Sequence, residues 1–250
     1  EVRRLHNRLG VKAFSFIDDN FFMDFPRAGT FFELVLKHKL PLRFDIQGVR
    51  ADVVDALTRD ELILMERAGC VKLSIGVETG SKRLLEKMGK NLDLNSVLHL
   101  NRRLKEWTIC PQYHFILGLP GETRKDLKKT VSLVDRLLRD NHEACFYPFF
   151  YRPIPQSALW SEVVDRVTPP FRLEEWDDFL LRCRKELAQE VSSQEYQALY
   201  CALAGRSHRG FIKAPWLRHS LGFYAPLAWW RIDRGYWRAF PEVWLMEKLG

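Results

Sequence analysis

Between residues 71 and 123 the chain reads strand, turn, helix, strand, turn, helix. Each strand ends on a carboxylate set among glycines. The first end is Gly76-Val77-Glu78-Thr79-Gly80-Ser81, and the second is Gly118-Leu119-Pro120-Gly121-Glu122-Thr123. A strand that returns through a helix pairs parallel with the next strand, because a short hairpin cannot make that crossover. The same rhythm extends on both sides. Apolar runs rich in β-branched and aromatic residues recur at 13–17, 42–46, 71–75, 112–117 and 144–149, with amphipathic stretches between them. This spacing predicts an α/β fold of parallel (β/α) units, a barrel or a doubly wound sheet. Both put functional groups at the carboxyl ends of the strands.

The helices predicted between the strands are 30–39, 58–68, 81–87, 94–107 and 123–140. Thr58 with Glu61 three residues on has the capping-box spacing. Leu127, Val131, Val134, Leu137 and Leu138 share one face at a period of 3.6. After Phe150 the rhythm stops. Pro153, Pro155, Pro169 and Pro170 impose extended breaks. Helices are expected at 173–192 and 194–204. We therefore expect a partial barrel over residues 1–155 and a helical, basic, aromatic-rich region over residues 156–250.

With 46% hydrophobic residues in 250, the chain is long enough to bury a core. Cys70, Cys110, Cys145, Cys183 and Cys201 form no CxxC or CxxxCxxC, so no metal motif is readable. Their wide spacing fits reduced thiols and a cytoplasmic setting, with most of them acting as small buried hydrophobes. The longest apolar run, 221–230, is half the ~20 residues that span a bilayer. A net charge of +7 selects no partner. The chain opens on Glu1 in a polar, helix-like stretch, and reads as a piece of a longer protein.

Three strand ends carry candidate chemistry. Glu78, between glycines, can accept both hydroxyls of a ribose, or it can pair with a nearby lysine or arginine. The Gly118–Thr123 turn makes a shelf of backbone N–H groups and small residues for a flat ring, with Ile116 and Leu119 as apolar contacts. Glu122 there favours the helix N-terminus more than a ligand. Asp18, Asp19 and Asn20 can hold an amino group or form an Asx turn and cap. Arg50 and Asp52 read as a local ion pair, and His114 as a core or hydrogen-bonded residue.

The segments Phe16–Phe21, Gly69–Ser81 and Phe115–Thr123 together resemble the radical SAM superfamily over about residues 1–160. The resemblance implies a partial (β/α)6 barrel holding S-adenosylmethionine against a [4Fe-4S] cluster. The cluster cleaves that cofactor reductively to a 5′-deoxyadenosyl radical, which abstracts hydrogen from substrate. It implies that Asp18, Asp19 and Asn20 face the methionine part of the cofactor and that Glu78 binds its ribose. Ile116, Gly118 and Gly121 then lie beside the adenine, with Phe149 and Tyr151 offering backbone to it. The three cluster cysteines of that family lie in a loop upstream of everything here, so the cluster ligands are absent from this chain. The chain is most similar to the subgroup with an N-terminal cobalamin-binding domain, which adds cobalamin and methylation of an unactivated carbon to the expectations. That domain is also absent from the chain.

Implied partners are a small-molecule or lipid-like substrate and an electron donor such as flavodoxin or ferredoxin. A tRNA-modifying relative is the first alternative, although no RNA-binding module is recognisable, and a catalytically silent barrel used as a binding scaffold is the second. Residues 206–250 hold eight Lys/Arg against three Asp/Glu and five of the eight Trp. This tail suits a membrane face, stacked bases or a cap over the barrel mouth, and we expect the cap because Pro215, Pro226 and Pro241 interrupt any long amphipathic helix.

Overall fold

The structure, a computed structural model, describes residues 1–164 and 166–186, and residues 191, 195, 196, 199, 230 and 234. Five strands make one parallel sheet in sequence order: β1 (Ala13–Phe16), β2 (Arg43–Val49), β3 (Cys70–Glu78), β4 (Cys110–Leu117) and β5 (Cys145–Phe150). Ala13 lies opposite Arg43, and Phe16 opposite Ile46. Every predicted strand is present.

The helices are α1 (Val2–Leu9), α2 (Phe25–Lys37), α3 (Ala51–Asp55), α4 (Arg59–Ala68), α5 (Lys82–Lys87), α6 (Leu94–Leu104), α7 (Arg124–Asp140), α8 (Ser161–Val164) and α9 (Trp176–Glu186). Thr58 and Glu61 form the predicted capping box at α4. Helix α2 begins earlier than the predicted 30–39, because the Asp24 carboxylate accepts the Arg27 N–H and a proline sits in the first turn. The short α3 was not foreseen. The stretch 173–192 begins as a 3₁₀ turn, Leu173–Glu175, and continues as α9. Most of the helix expected at 194–204 and of the tail 206–250 lies outside the described residues. No helix among the described residues is long and apolar enough to cross a membrane.

The chain divides into two compact units. The first holds residues 1–77, 92–114 and 136–145. Its core packs one face of the sheet. Phe44, Ile46, Leu73, Ile75 and Tyr113 are all at most 1% exposed, and the rings of Phe16, Phe31 and Phe32 gather around Phe44 at 5.6–5.9 Å, with Phe21 5.1 Å from Phe16. The alternate residues make a polar second face. Ser15 Oγ donates to Asp45 and receives Gln47 Nε2, and Lys72 Nζ is 3.9 Å from Asp45. Ser74 Oγ donates to Gln112 Oε1, with His114 Nε2 at 3.4 Å from the same oxygen. Parallel sheets are normally apolar on both faces, so this one departs from the usual pattern.

The second unit holds residues 78–91, 115–135 and the described residues from 146 onward. One cluster is Leu84, Leu119 and Leu159, with Met88, Ile116 and Tyr151 against it. Another is Val163, Val167, Phe179 and Cys183, with Trp160 and Trp176. On α7 the predicted apolar stripe is buried at Leu127, Val131, Val134 and Leu137.

Candidate functional site: the carboxyl tips of the strands

Glu78 is the last residue of β3 and has φ 69°. A side-chain-bearing residue in the left-handed region carries a steric cost, and such strain collects at ligand sites. Lys90 Nζ lies 2.5 Å from Glu78 Oε1, and the two side chains are 26% and 20% exposed. Among the described residues no donor reaches Oε2. The carboxylate is therefore held by one oxygen and offers the other.

The turn beyond Glu78 is fixed to α7 and leaves no space for a ligand at its second glycine. A Cβ on Gly80 would fall 2.5 Å from the Lys129 carbonyl oxygen and 2.6 Å from Thr130 Cα. Gly80 N–H donates to Thr130 Oγ1, and Ser81 Oγ donates to Asp126 Oδ1 at 2.5 Å. Ser81 stands at the N-cap position of α5, but its hydroxyl serves Asp126 and makes no cap bond. Asp126 also accepts Arg83 Nη2 and the Thr123 N–H and hydroxyl, while its own N–H donates to Thr123 Oγ1. Burial opposes its charge, yet the bonds from Arg83, Ser81 and Thr123 prevail and hold it well below the usual carboxylate range.

In the neighbouring turn Gly118 N–H donates to Glu122 Oε2 at 2.9 Å. Glu122 is 3% exposed, so it braces the turn from inside. Burial pushes its pKa up to about 7, against bonds from Tyr196 and from the Gly118 N–H. Gly121 presents its carbonyl to Arg83, and Lys87 holds the Pro120 carbonyl. Ile116 and Tyr151 pack on the same apolar cluster beside this turn. Tyr151 N–H donates to the Leu117 carbonyl, so of its backbone groups the carbonyl is the one left to face a ligand. Phe149 is 38% exposed, with its ring 4.4 Å from that of Tyr147. The structure thus brings Ile116, Gly118, Gly121 and Tyr151 together at one turn, and Phe149 follows at the end of β5.

In the first unit, Asp18 and Asp19 are exposed at the tip of β1. Their carbonyl oxygens rest on Gly48 of β2, where a Cβ would sit 2.3 and 2.6 Å from them and φ is 65°. Only glycine permits that approach. Asn20 precedes the 3₁₀ turn Phe21–Met23 without capping it, and its buried Oδ1 has no hydrogen-bond partner among the described residues. The expected Asx cap is therefore not formed. Arg50 and Asp52 form the anticipated exposed ion pair at 2.8 Å. Sequence reasoning missed Lys90, Gly48 and the Asp126 hub. Gly48 carried a signal, a glycine interrupting a strand; the other two depend on contacts between distant segments.

Residues 1–134 match the family model of the radical SAM superfamily, and the chain belongs to that superfamily. An uncharacterised methyltransferase, PH0819 of Pyrococcus horikoshii, is 26% identical over 66% of this chain and 34% of its own length. The anaerobic magnesium-protoporphyrin IX monomethyl ester cyclase of Cereibacter sphaeroides is 27% identical over 67% of this chain and 27% of its own. A tRNA-2-methylthio-N(6)-dimethylallyladenosine synthase of Aromatoleum aromaticum is 29% identical over 56% and 29%. Among solved structures, the radical S-adenosylmethionine methyltransferase TsrM of Kitasatospora setae, with cobalamin and a [4Fe-4S] cluster bound, superposes with a TM-score of 0.54 at 19% identity. It covers 66% of this chain and 30% of that one, and shares its fold. The chain thus spans about a third of the length of these proteins.

The family implies S-adenosylmethionine and a [4Fe-4S] cluster. The residues present fit the first, since within the second unit the open oxygen of Glu78 is an unsatisfied acceptor at the tip of β3. They do not fit the second. No group of three or more His, Cys, Asp or Glu is gathered among the described residues, and the sequence has no CxxxCxxC.

Proposed function

We propose that residues 1–155 are the adenosyl-binding barrel of a radical S-adenosylmethionine enzyme, with residues 156–250 as its C-terminal region. The observation that carries this reading is Glu78, strained at the tip of β3, held through one oxygen by Lys90 and open at the other. In this reading Glu78 accepts the ribose hydroxyls. The Gly118–Gly121 turn and Ile116 contact the adenine, and Phe149 and Tyr151 offer backbone to it. Asn20 and the flanking Asp18 and Asp19 take the amino group of the methionine part. S-adenosylmethionine supplies a radical or a methyl group when bound. In the whole protein an electron donor such as flavodoxin or ferredoxin serves the reaction, and the likeness to a methyltransferase supports cobalamin as a further cofactor. The cytoplasm is the fitting compartment for its reduced thiols.

The polar second face of β1 to β4 favours a small molecule with hydrogen-bonding groups over a lipid-like substrate. Ser15, Asp45, Gln47, Lys72 and Gln112 bond to other side chains of this face, and hydrocarbon laid over it would leave their remaining donors and acceptors unmet. The tRNA methylthiotransferase relatives favour a second reading, modification of a nucleoside in RNA.

Equilibrium dialysis of labelled S-adenosylmethionine against the 250-residue chain tests the proposal. Saturable binding is expected, weakened by Glu78→Ala by ~1–3 kcal/mol, the scale of a lost charge-assisted hydrogen bond. Binding that Glu78→Ala leaves unchanged would falsify the ribose assignment.

A further inference from the structure

Two thiols that are 35 residues apart in the chain meet in the first unit. Cys110 opens β4 and Cys145 opens β5, and their Sγ atoms lie 3.3 Å apart. This pair stands at the amino ends of the two strands. A disulfide bond is about 2.05 Å long, so the sulfurs need to close by about 1.2 Å. Adjacent strands sit about 4.8 Å apart, inside the Cα range that disulfides span, so rotation of the side chains can supply that movement without the strands separating. Cys110 is partly exposed and Cys145 is buried. The attacking group on an incoming reagent is therefore Cys110, and the resolving group is Cys145.

Its surroundings set how fast such a reaction runs. The Glu143 carbonyl oxygen at 3.2 Å and Cys145 Sγ at 3.3 Å are the alternative acceptors of the one Cys110 thiol proton. The bond to Cys145 and burial push the Cys110 thiol up, and Lys72 only partly offsets them. The pair is therefore slow at neutral pH and quickens as pH rises, because the thiolate is the reacting form. Cys70 makes an internal comparison. It is 1% exposed, and burial pushes its pKa up to about 12; among the described residues no second thiol bonds to it.

We propose that Cys110 and Cys145 form a paired-thiol modification site that exchanges with low-molecular-weight disulfides and closes to a disulfide linking β4 to β5. The Cys110 thiolate attacks one sulfur of the small disulfide and expels one small thiolate, leaving a mixed disulfide on Cys110. The Cys145 thiolate then attacks the Cys110 sulfur and expels the second small thiolate. Two protons from the protein thiols end on the two small thiols, and two electrons pass from the pair to the reagent. A link closing a loop of this length constrains the unfolded chain, so the oxidised form melts several degrees higher, on the order of 5 °C.

The test uses the full chain, folded, incubated with oxidised glutathione at pH 7 and pH 9. Intact mass and a non-reducing peptide map are the readouts. The expected result is loss of two hydrogen atoms, one cross-linked peptide pair containing residues 110 and 145, faster closure at pH 9, and reversal by dithiothreitol. Cys145→Ser should instead accumulate a stable glutathione adduct on Cys110. Three results overturn the proposal: both thiols staying free at pH 9 while the guanidinium-unfolded chain reacts, an adduct persisting on wild-type Cys110, or a cross-link that involves Cys70.

Discussion

Two carboxylates near the second strand tip pull stability in opposite directions with pH. Glu122 titrates near 4.5 in an unfolded chain, and burial raises it to about 7 in the fold. The folded protein keeps a proton that the unfolded chain releases, so this group's stabilisation is full below pH 4.5 and is lost as pH rises through 7. Asp126 has the reverse sign. Its lowered pKa gives stability that is present above 3.8 and lost as pH falls below it. Glu122→Gln keeps an acceptor for the Gly118 N–H and removes the titration. Urea melts at pH 5 and pH 8 should show the wild type declining and the variant flat, a difference on the order of 2 kcal/mol at pH 8. Parallel curves for the two proteins would contradict the burial of an ionisable Glu122. The residue's type and place at a helix start were legible in the sequence. Its burial was not, because that depends on packing around the turn.

At the scale of elements, the turn after β3 is built for its helix more than for a ligand. Gly80 lets the turn touch the α7 backbone, and Thr130, Asp126, Ser81 and Arg83 tie it there. Gly80→Ala forces a carbon into that contact and should cost ~2–4 kcal/mol of stability. Calorimetry decides it, and an unchanged melting temperature would mean that the turn stands off α7. The strands and their helices were readable because an apolar run, a polar turn and a 3.6-residue stripe repeat in order. The capping box of Thr58 and Glu61 was readable because both partners are three residues apart. Helix α3 escaped notice because Ala51–Asp55 is too short to show a period. The Glu78–Lys90 pair was anticipated only in kind, and the meeting of Cys110 with Cys145 not at all, since it depends on β4 and β5 lying side by side in the sheet.

At the scale of the whole molecule, membership of the superfamily implies the class of cofactor, and the placement of that cofactor on the chain's own residues is our proposal. Glu78, Asn20 and the Gly118 turn are the parts that carry the reading; the aromatic, basic tail contributes nothing to it. The most direct test asks whether Glu78 reads the ribose diol itself. S-adenosylhomocysteine and its 2′,3′-dideoxy analogue are titrated against wild type and Glu78→Ala, giving a four-cornered cycle of dissociation constants. The account predicts that removing the diol weakens binding to wild type about tenfold or more and changes binding to Glu78→Ala by much less. Equal losses in the two proteins would place the ribose away from Glu78 and contradict the account.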